Sequence, residues 1–245
     1  MLAKAKFEAA RGICLMTGVL ADLAKVAATE AARAGALARQ ELLTPIAKAW
    51  STDVGVEVTS AALQVHGGMG YIEETGAAQY YRDARISPIY EGTNGIQAID
   101  LSGRKLSMAH GAVMRELCAE MLVTAEGLTE SAELVSVGRR LAAGVQALLA
   151  ATDWQLAHPG PENLMGATAY LKLAGDVVGG WILARQALAA AEEIRGGSDA
   201  PWLKVKGPLA KLYASQVLAQ APGLAEGVME PLPEMAEIAP AALAS

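Results

Sequence analysis

Residues 63–106 read LQVHGGMGYIEETGAAQYYRDARISPIYEGTNGIQAIDLSGRKL, and the two halves of the chain meet across them. Immediately before, Ile46, Trp50, Val54, Val58, Ala61 and Val65 recur in steps of three and four, the spacing of one helix face. The pattern predicts a helix that starts through Thr44 and Pro45 and is stopped by Gly67 and Gly68. From Met69 to Gly95 long periodicity disappears, Gly, Pro and Tyr accumulate, and at most one short helix fits, near Gly76 to Arg82. A helix resumes near Thr93 or Asn94, with Ile96, Ile99, Leu101 and Leu106 as its apolar positions, and closes around Met108 to Gly111. A glycine-rich loop between two helices has the composition of a functional loop.

Outward from this stretch the chain reads as helical throughout. Leu2, Ala5, Ala9, Ile13, Met16, Leu20, Leu23 and Ala27 mark one helix face from the first residues. No Ser, Thr, Asp or Asn precedes them as a helix start, which suggests that sequence upstream of Met1 has been removed. Downstream, helices are predicted at about 112–127, 129–157, 161–195 and 202–219, separated by Gly127, the turn His158–Pro161 and the run Gly196–Pro201. Residues 222–245 carry Pro231, Pro233 and Pro240 among acidic and alanine residues, so a loosely ordered or docked tail is expected there. The expected fold is all-α: a helical bundle over 1–108, an additional C-terminal helical bundle over 109–221, and the tail.

Composition supports helices and removes several function classes. Hydrophobic residues make up 53% of the 245 residues but aromatics only 4%, a mix that favours helix over strand. The formal net charge of −6 offers no basic stripe for a phosphate backbone, so nucleic acid is not an expected partner. Cys14 and Cys118 stand far apart on apolar helical stretches and read as buried or half-buried thiols of a reducing compartment. The N-terminus resembles no signal peptide and no window reaches ~18 uninterrupted apolar residues, which points to a cytoplasmic protein without a membrane span. His66, His110 and His158 are isolated from one another, so no metal site is expected.

Spacing alone assigns little chemistry. The glycines of GGMG, residues 67–70, allow close backbone approach to a ligand, yet they equally make a helix C-cap followed by a turn. Glu91 stands just before a helix start, where a carboxylate complements the helix dipole without any catalytic role. Asp83 with Arg82 and Arg85, and Glu73 with Glu74, read as surface ion pairs.

As a whole, residues 63–106 resemble the C-terminal bundle of acyl-CoA dehydrogenases: the glycine cluster, RDA at 82–84 and YEGT at 90–93 occur in the family's order. The resemblance covers residues 1–108 well, with the first helix of that bundle absent. The remainder resembles the extra helical domain of larger bacterial members, those of the 3-methylthiopropionyl-CoA dehydrogenase type among them. It implies that Glu91 is the base that abstracts the substrate's α-proton while hydride leaves the β-carbon for the flavin of FAD. Such a carboxylate must become more basic when acyl chain and flavin exclude water. It also implies that Gly92 lies beside the acyl-CoA, and that Thr93, Asn94 and Gly95 touch FAD, Gly95 standing where some members carry Gln. Gln64, Val65, His66, Gly67 and Gly68 match the segment that contacts the FAD of a neighbouring subunit, which implies a homo-oligomer, dimer or tetramer. Electron-transfer flavoprotein is the implied acceptor. Nothing in the chain resembles the family's N-terminal helical domain or its middle β-domain, so the chain reads as an incomplete enzyme. The alternative reading is a non-catalytic helical interaction module, or a relative of the alkylation-response flavoproteins.

Overall fold

The first cap sets the course of the N-terminal half. After helix α1 (Leu2–Val26), Thr29 takes an extended conformation and its hydroxyl accepts the Ala32 N–H at 3.1 Å, starting α2 (Glu30–Pro45). In this computed structural model, which describes residues 1–230 together with 232, 234 and 238, and backbone alone at 161 and 162, the helix does not restart at Thr44 and Pro45. It runs on through a π turn at Ile46–Trp50 into α3 (Ser51–Val65). Pro45 has no N–H to give the preceding turn, and the wider π turn directly after it accommodates the lost bond, so the proline modulates the helix instead of beginning it.

The glycine-rich stretch folds as short pieces: α4 (Gly68–Tyr71), a 3₁₀ turn at Glu73–Thr75 and α5 (Ala77–Ala84). Helix α6 (Asn94–Asp100) continues as a second π turn at Leu101–Lys105. Ala109 and His110 then adopt φ of 47° and 55°, followed by Gly111 at 83°. A Cβ on Gly111 would lie 2.4 Å from Leu156 Cδ1, so only glycine fits that corner.

Beyond the corner lie α7 (Ala112–Thr129), α8 (Val135–Ala157), α9 (Pro161–Arg195), α10 (Lys206–Gln216) and α11 (Ala221–Met229), and no strand occurs among the described residues. Gly127 is an ordinary helical residue inside α7, so that helix outlasts the expected stop and α8 starts later than the pattern suggested. Of the two alternatives for the stretch from Pro222, loosely ordered or docked, its first part is docked, as a helix. Pro222 occupies the first turn of α11, where its fixed φ suits a helix start. Ala221, Ala225 and Val228 are buried, and α11 packs on α8 and α9. Pro231, Pro233 and Pro240 lie outside the described residues.

One hydrophobic core runs from Ala5 to Val228, with α9 at its centre, touching α1, α6, α7, α8, α10 and α11. Trp50 makes the decisive joint. A Cβ on Gly175 would stand 2.2 Å from Trp50 Cγ, and one on Gly179 3.1 Å from Trp50 Cη2, so the indole occupies a notch that only glycines leave open. Its Nε1–H donates to Asp176 Oδ1 at 2.9 Å, Lys172 Nζ donates to the other carboxylate oxygen, and Tyr213 donates its O–H to the Asp176 carbonyl at 3.1 Å. Burial pushes the Asp176 carboxyl above its ordinary value, and Lys172 and Trp50 draw it back.

The thiols divide. Cys118 is buried, as its helical setting predicts, and burial pushes it up to about 12. Cys14 is exposed instead, because α1 turns that face away from the core toward Ser51 Oγ, 3.6 Å away.

Gly175→Ala therefore forces Trp50 out of its notch and lowers stability in urea unfolding by roughly 1–3 kcal/mol. Gly127→Ala is the matched control: a Cβ there meets nothing within 4 Å, and helix propensity predicts a gain of up to about 1 kcal/mol.

Candidate active site

Helix α3 is the spine on which the sequence-predicted site residues are arranged, and it holds them at two separate places. At its C-terminal end Gln64 and Val65 are exposed. His66 caps the helix, its N–H donating to Ala62 O at 3.2 Å, and Gly67 follows with φ of 60°, a conformation that favours glycine. Cβ atoms on Gly67 or Gly68 would meet nothing within 4 Å, so both glycines face open space. Gly70 differs: a Cβ there would lie 2.3 Å from Leu63 O, so its role is to let the following turn fold back tightly on α3. Glu73 pairs with Arg82 at 2.9 Å on the surface, one of the charge pairings open to this loop.

The second place is the start of α3 and the π turn before it, where the head of α6 is fastened. Asn94 Nδ2 lies 3.0 Å from Ala49 O, 3.0 Å from Thr52 Oγ1 and 2.8 Å from Asp53 Oδ1. Its backbone N–H donates to Pro88 O at 3.1 Å, closing the segment 88–94 into a loop. Glu91 is at the crest of that loop with φ of 53°, and Gly92 follows at 85°. Lys48 Nζ reaches the Glu91 carbonyl at 3.5 Å. Glu91, Gly92, Thr93 and Gly95 are exposed, with Ile89, Tyr90 and Ile96 more than half exposed around them. Neither the Gly95 nor the Ile96 N–H has a hydrogen-bond partner among the described residues.

Helical rise sets the distance between the places. Residues 53 and 64 are separated by about 16 Å along α3 at ~1.5 Å per residue. Gln64–Gly68 and Glu91–Gly95 are thus not brought together into one cup within a single chain. Beside the second place lies a cavity of about 650 Å³, lined among others by Trp50, Asp53, Asn94, Gly95 and Asp176.

Lys48 and Asp53 escaped the sequence reading. Both belong to the polar side of a helical stretch, and nothing local marks them as partners of residues more than 40 positions onward. Burial pushes the Asp53 carboxyl up, and the Asn94 bond opposes that.

The family description "Acyl-CoA dehydrogenase, C-terminal domain" matches residues 14–106, and "Acetyl-CoA dehydrogenase C-terminal like" matches 113–239. The chain belongs to the acyl-CoA dehydrogenase family. The two matches abut the left-handed corner at Ala109–Gly111 from either side. The 3-methylmercaptopropionyl-CoA dehydrogenase of Ruegeria pomeroyi is 42% identical over 89% of this chain, which covers 37% of that protein. A butyryl-CoA dehydrogenase of Syntrophomonas wolfei is 30% identical over 93% of the chain and 38% of its own length. The chain thus spans under two fifths of these acyl-CoA dehydrogenases. Among solved structures, the fold superposes on Caenorhabditis elegans ACDH-11 in complex with C11-CoA, with a TM-score of 0.68 at 18% identity over 88% of this chain and 35% of that one. It also superposes on a Bacillus anthracis acyl-CoA dehydrogenase complexed with FAD, with a TM-score of 0.66 at 15% identity over 96% and 43%. At those identities the likeness is one of fold. No helix among the described residues is long and apolar enough to cross a membrane.

The left-handed backbone at Glu91 costs about 1–2 kcal/mol for a residue with a Cβ. Glu91→Gly relieves it, and after the entropy that glycine loses on folding, roughly 0.5–1 kcal/mol, stability is unchanged or raised by up to about 1.5 kcal/mol. Glycine elsewhere in an ordered segment destabilises, so chemical denaturation of this one variant separates strain from an ordinary turn.

Proposed function

We propose that this chain forms the helical side of the active site of an FAD-dependent acyl-CoA dehydrogenase, which oxidises an acyl-CoA thioester to its trans-2-enoyl-CoA. Glu91 is the base. The observation that carries the reading is the crest of the 88–94 loop, where a glutamate of a YEGT segment is held exposed in a left-handed conformation. Strain of this kind persists only where its surroundings over-determine it, and it gathers at functional sites. The apolar side chains of Ile89, Tyr90 and Ile96 suit a surface that is covered when substrate, cofactor and the remaining domains close over it, which removes the water that keeps a carboxylate weakly basic.

The residues present fit FAD. Two unpartnered amides at Gly95 and Ile96 and the open backbone at Gly67 and Gly68 suit an anionic cofactor that must approach closely. Thr93 and Gly95 would hold the cofactor of the same subunit, while Asn94, which the family resemblance also implies as a contact, has its N–H groups directed at Ala49, Thr52, Asp53 and Pro88 instead; Gln64, Val65, His66, Gly67 and Gly68 would hold the cofactor of a neighbour. When bound, FAD supplies the hydride acceptor for the β-carbon. Glu91 takes the α-proton on its carboxylate, and Gly92, with no side chain, leaves room for the thioester beside it. The rise of ~16 Å along α3 from Asp53, which holds Asn94, to Gln64 accords with a cofactor site shared between copies of the chain. Exposed Leu15, Val19 and Val26 on α1 suit further contact within a dimer or tetramer. A cytoplasmic setting with electron-transfer flavoprotein as acceptor completes the reading.

The test is Glu91→Gln in this chain assembled with the remaining acyl-CoA dehydrogenase domains. Turnover of an acyl-CoA, followed by reduction of electron-transfer flavoprotein, falls at least ~10²–10⁴-fold while flavin content and acyl-CoA binding persist. Turnover retained at the parent rate overturns Glu91 as the base, whereas a parent assembly that binds flavin and acyl-CoA but turns nothing over favours the helical interaction module.

A further inference from the structure

We infer that Asn94, fastened to Ala49 of the π turn and to Thr52 and Asp53 of α3, is a positioning residue that sets the backbone of Glu91. The inference rests on the reading of Glu91 as base. Asn94 has two amide hydrogens, and three acceptors surround them at 2.8–3.0 Å: the Ala49 carbonyl, the Thr52 hydroxyl and the Asp53 carboxylate. Its Oδ1 lies 3.3 Å from the Thr52 hydroxyl, and its backbone N–H is committed to Pro88 O. Every N–H of this residue is therefore directed at the chain's own atoms.

The consequence runs through the loop. Pro88 and Asn94 close its base by one hydrogen bond, and only Gly92 and Thr93 separate the anchor from Glu91. A glutamate does not stay at a φ of 53° unaided. On its N-terminal side the loop is held by the Ile89 and Tyr90 N–H groups, which donate to Ile86 O; beyond Glu91 the described restraints are the Asn94 anchor and the longer Lys48 contact to the Glu91 carbonyl. The anchor is itself rigid, because Ala49, Thr52 and Asp53 flank Trp50, which is locked into α9 by the glycine notch and Asp176. Asp53 supplies the charged end of the anchor, and a charge-assisted bond holds more firmly than a neutral one. Without Asn94 the loop relaxes toward negative φ, and the Glu91 carboxylate swings away from the position where it meets an α-proton.

The experiment uses the assembled enzyme. Asn94→Ala lowers kcat by ~10²-fold, the effect of a misplaced but intact base, and leaves KM for acyl-CoA within about twofold and flavin content unchanged. Hydrogen exchange at the amides of residue 94 and Gln97, bonded to Pro88 O and Thr93 O in the parent, accelerates while that of α7 and α8 does not. Asn94→Asp sets two carboxylates against each other and loses as much. Adding Asp53→Asn to it restores a donor–acceptor pair in reverse and recovers about tenfold, since coupled partners are non-additive. If Asn94→Ala does not fold, this pair of variants decides, and absence of recovery overturns the inference. If Asn94→Ala turns over at the parent rate while Glu91→Gln is inactive, the positioning role fails and the base stands. If Glu91→Gln is active, both fail. If Asn94→Ala keeps kcat but loses flavin or raises KM, Asn94 is a ligand contact and the inference is overturned.

Discussion

The structure depends on the seating of Trp50 in α9. A tryptophan can lie this deep because α9 presents Gly175, where any side chain would collide with the ring, and Gly179, where a Cβ would press tightly on it and on Tyr213. The contact also settles its polar end, since the indole N–H meets a buried carboxylate already paired with Lys172. An unpaired charge or an unpaired N–H at that depth would cost more than the packing returns. Glycine notch, carboxylate and lysine therefore form one arrangement, and it fixes α3 against the centre of the bundle.

Because α3 is fixed, everything fastened to it is fixed. The π turn that carries Trp50 also carries Ala49, and the first turn of α3 carries Thr52 and Asp53, so the residues that hold Asn94 are the neighbours of the residue that holds the helix. The far end of α3 runs out to Val65 without a core contact of its own and delivers Gln64 and the glycine pair to the surface. A single rigid rod thus presents two sets of site residues at a set interval. Both sets, and the apolar side chains near the second, are exposed, in keeping with the proposal that cofactor, substrate and the remaining domains cover them. The energetic expense at Glu91 is borne by a scaffold stable enough to keep one residue in an unfavourable conformation.

Legibility in the sequence followed the range of each interaction. Helix α9 was predicted to the residue at both ends because Pro161 and Gly196 act on their immediate neighbours, and the stop at Gly67 follows for the same reason. Proline was also where local reasoning misled. Pro45 looked like a helix start and lies inside a helix, whereas Pro222 looked like a tail and begins one. In both cases the packing partner decided, the π turn around Trp50 in the first and the α8–α9 surface in the second. Cys14 was misplaced because α1 is apolar on more than one side, and periodicity does not say which side meets the core.

The sequence by itself determined that this chain is helical and carries YEGT at 90–93 after a glycine pair, because helix periodicity, caps and a short motif are written within a few residues of one another. That sufficed to place it in its family. Only the tertiary structure decided that Glu91 is left-handed, that Asn94 is spent on α3, and that the two sets of site residues stand apart. Those facts rest on bonds between residues 41 positions apart, Asn94 to Asp53, and 126 apart, Trp50 to Asp176. No local pattern specifies such pairs, because each exists only once the helices have packed and burial has made an unpaired polar group too costly to leave.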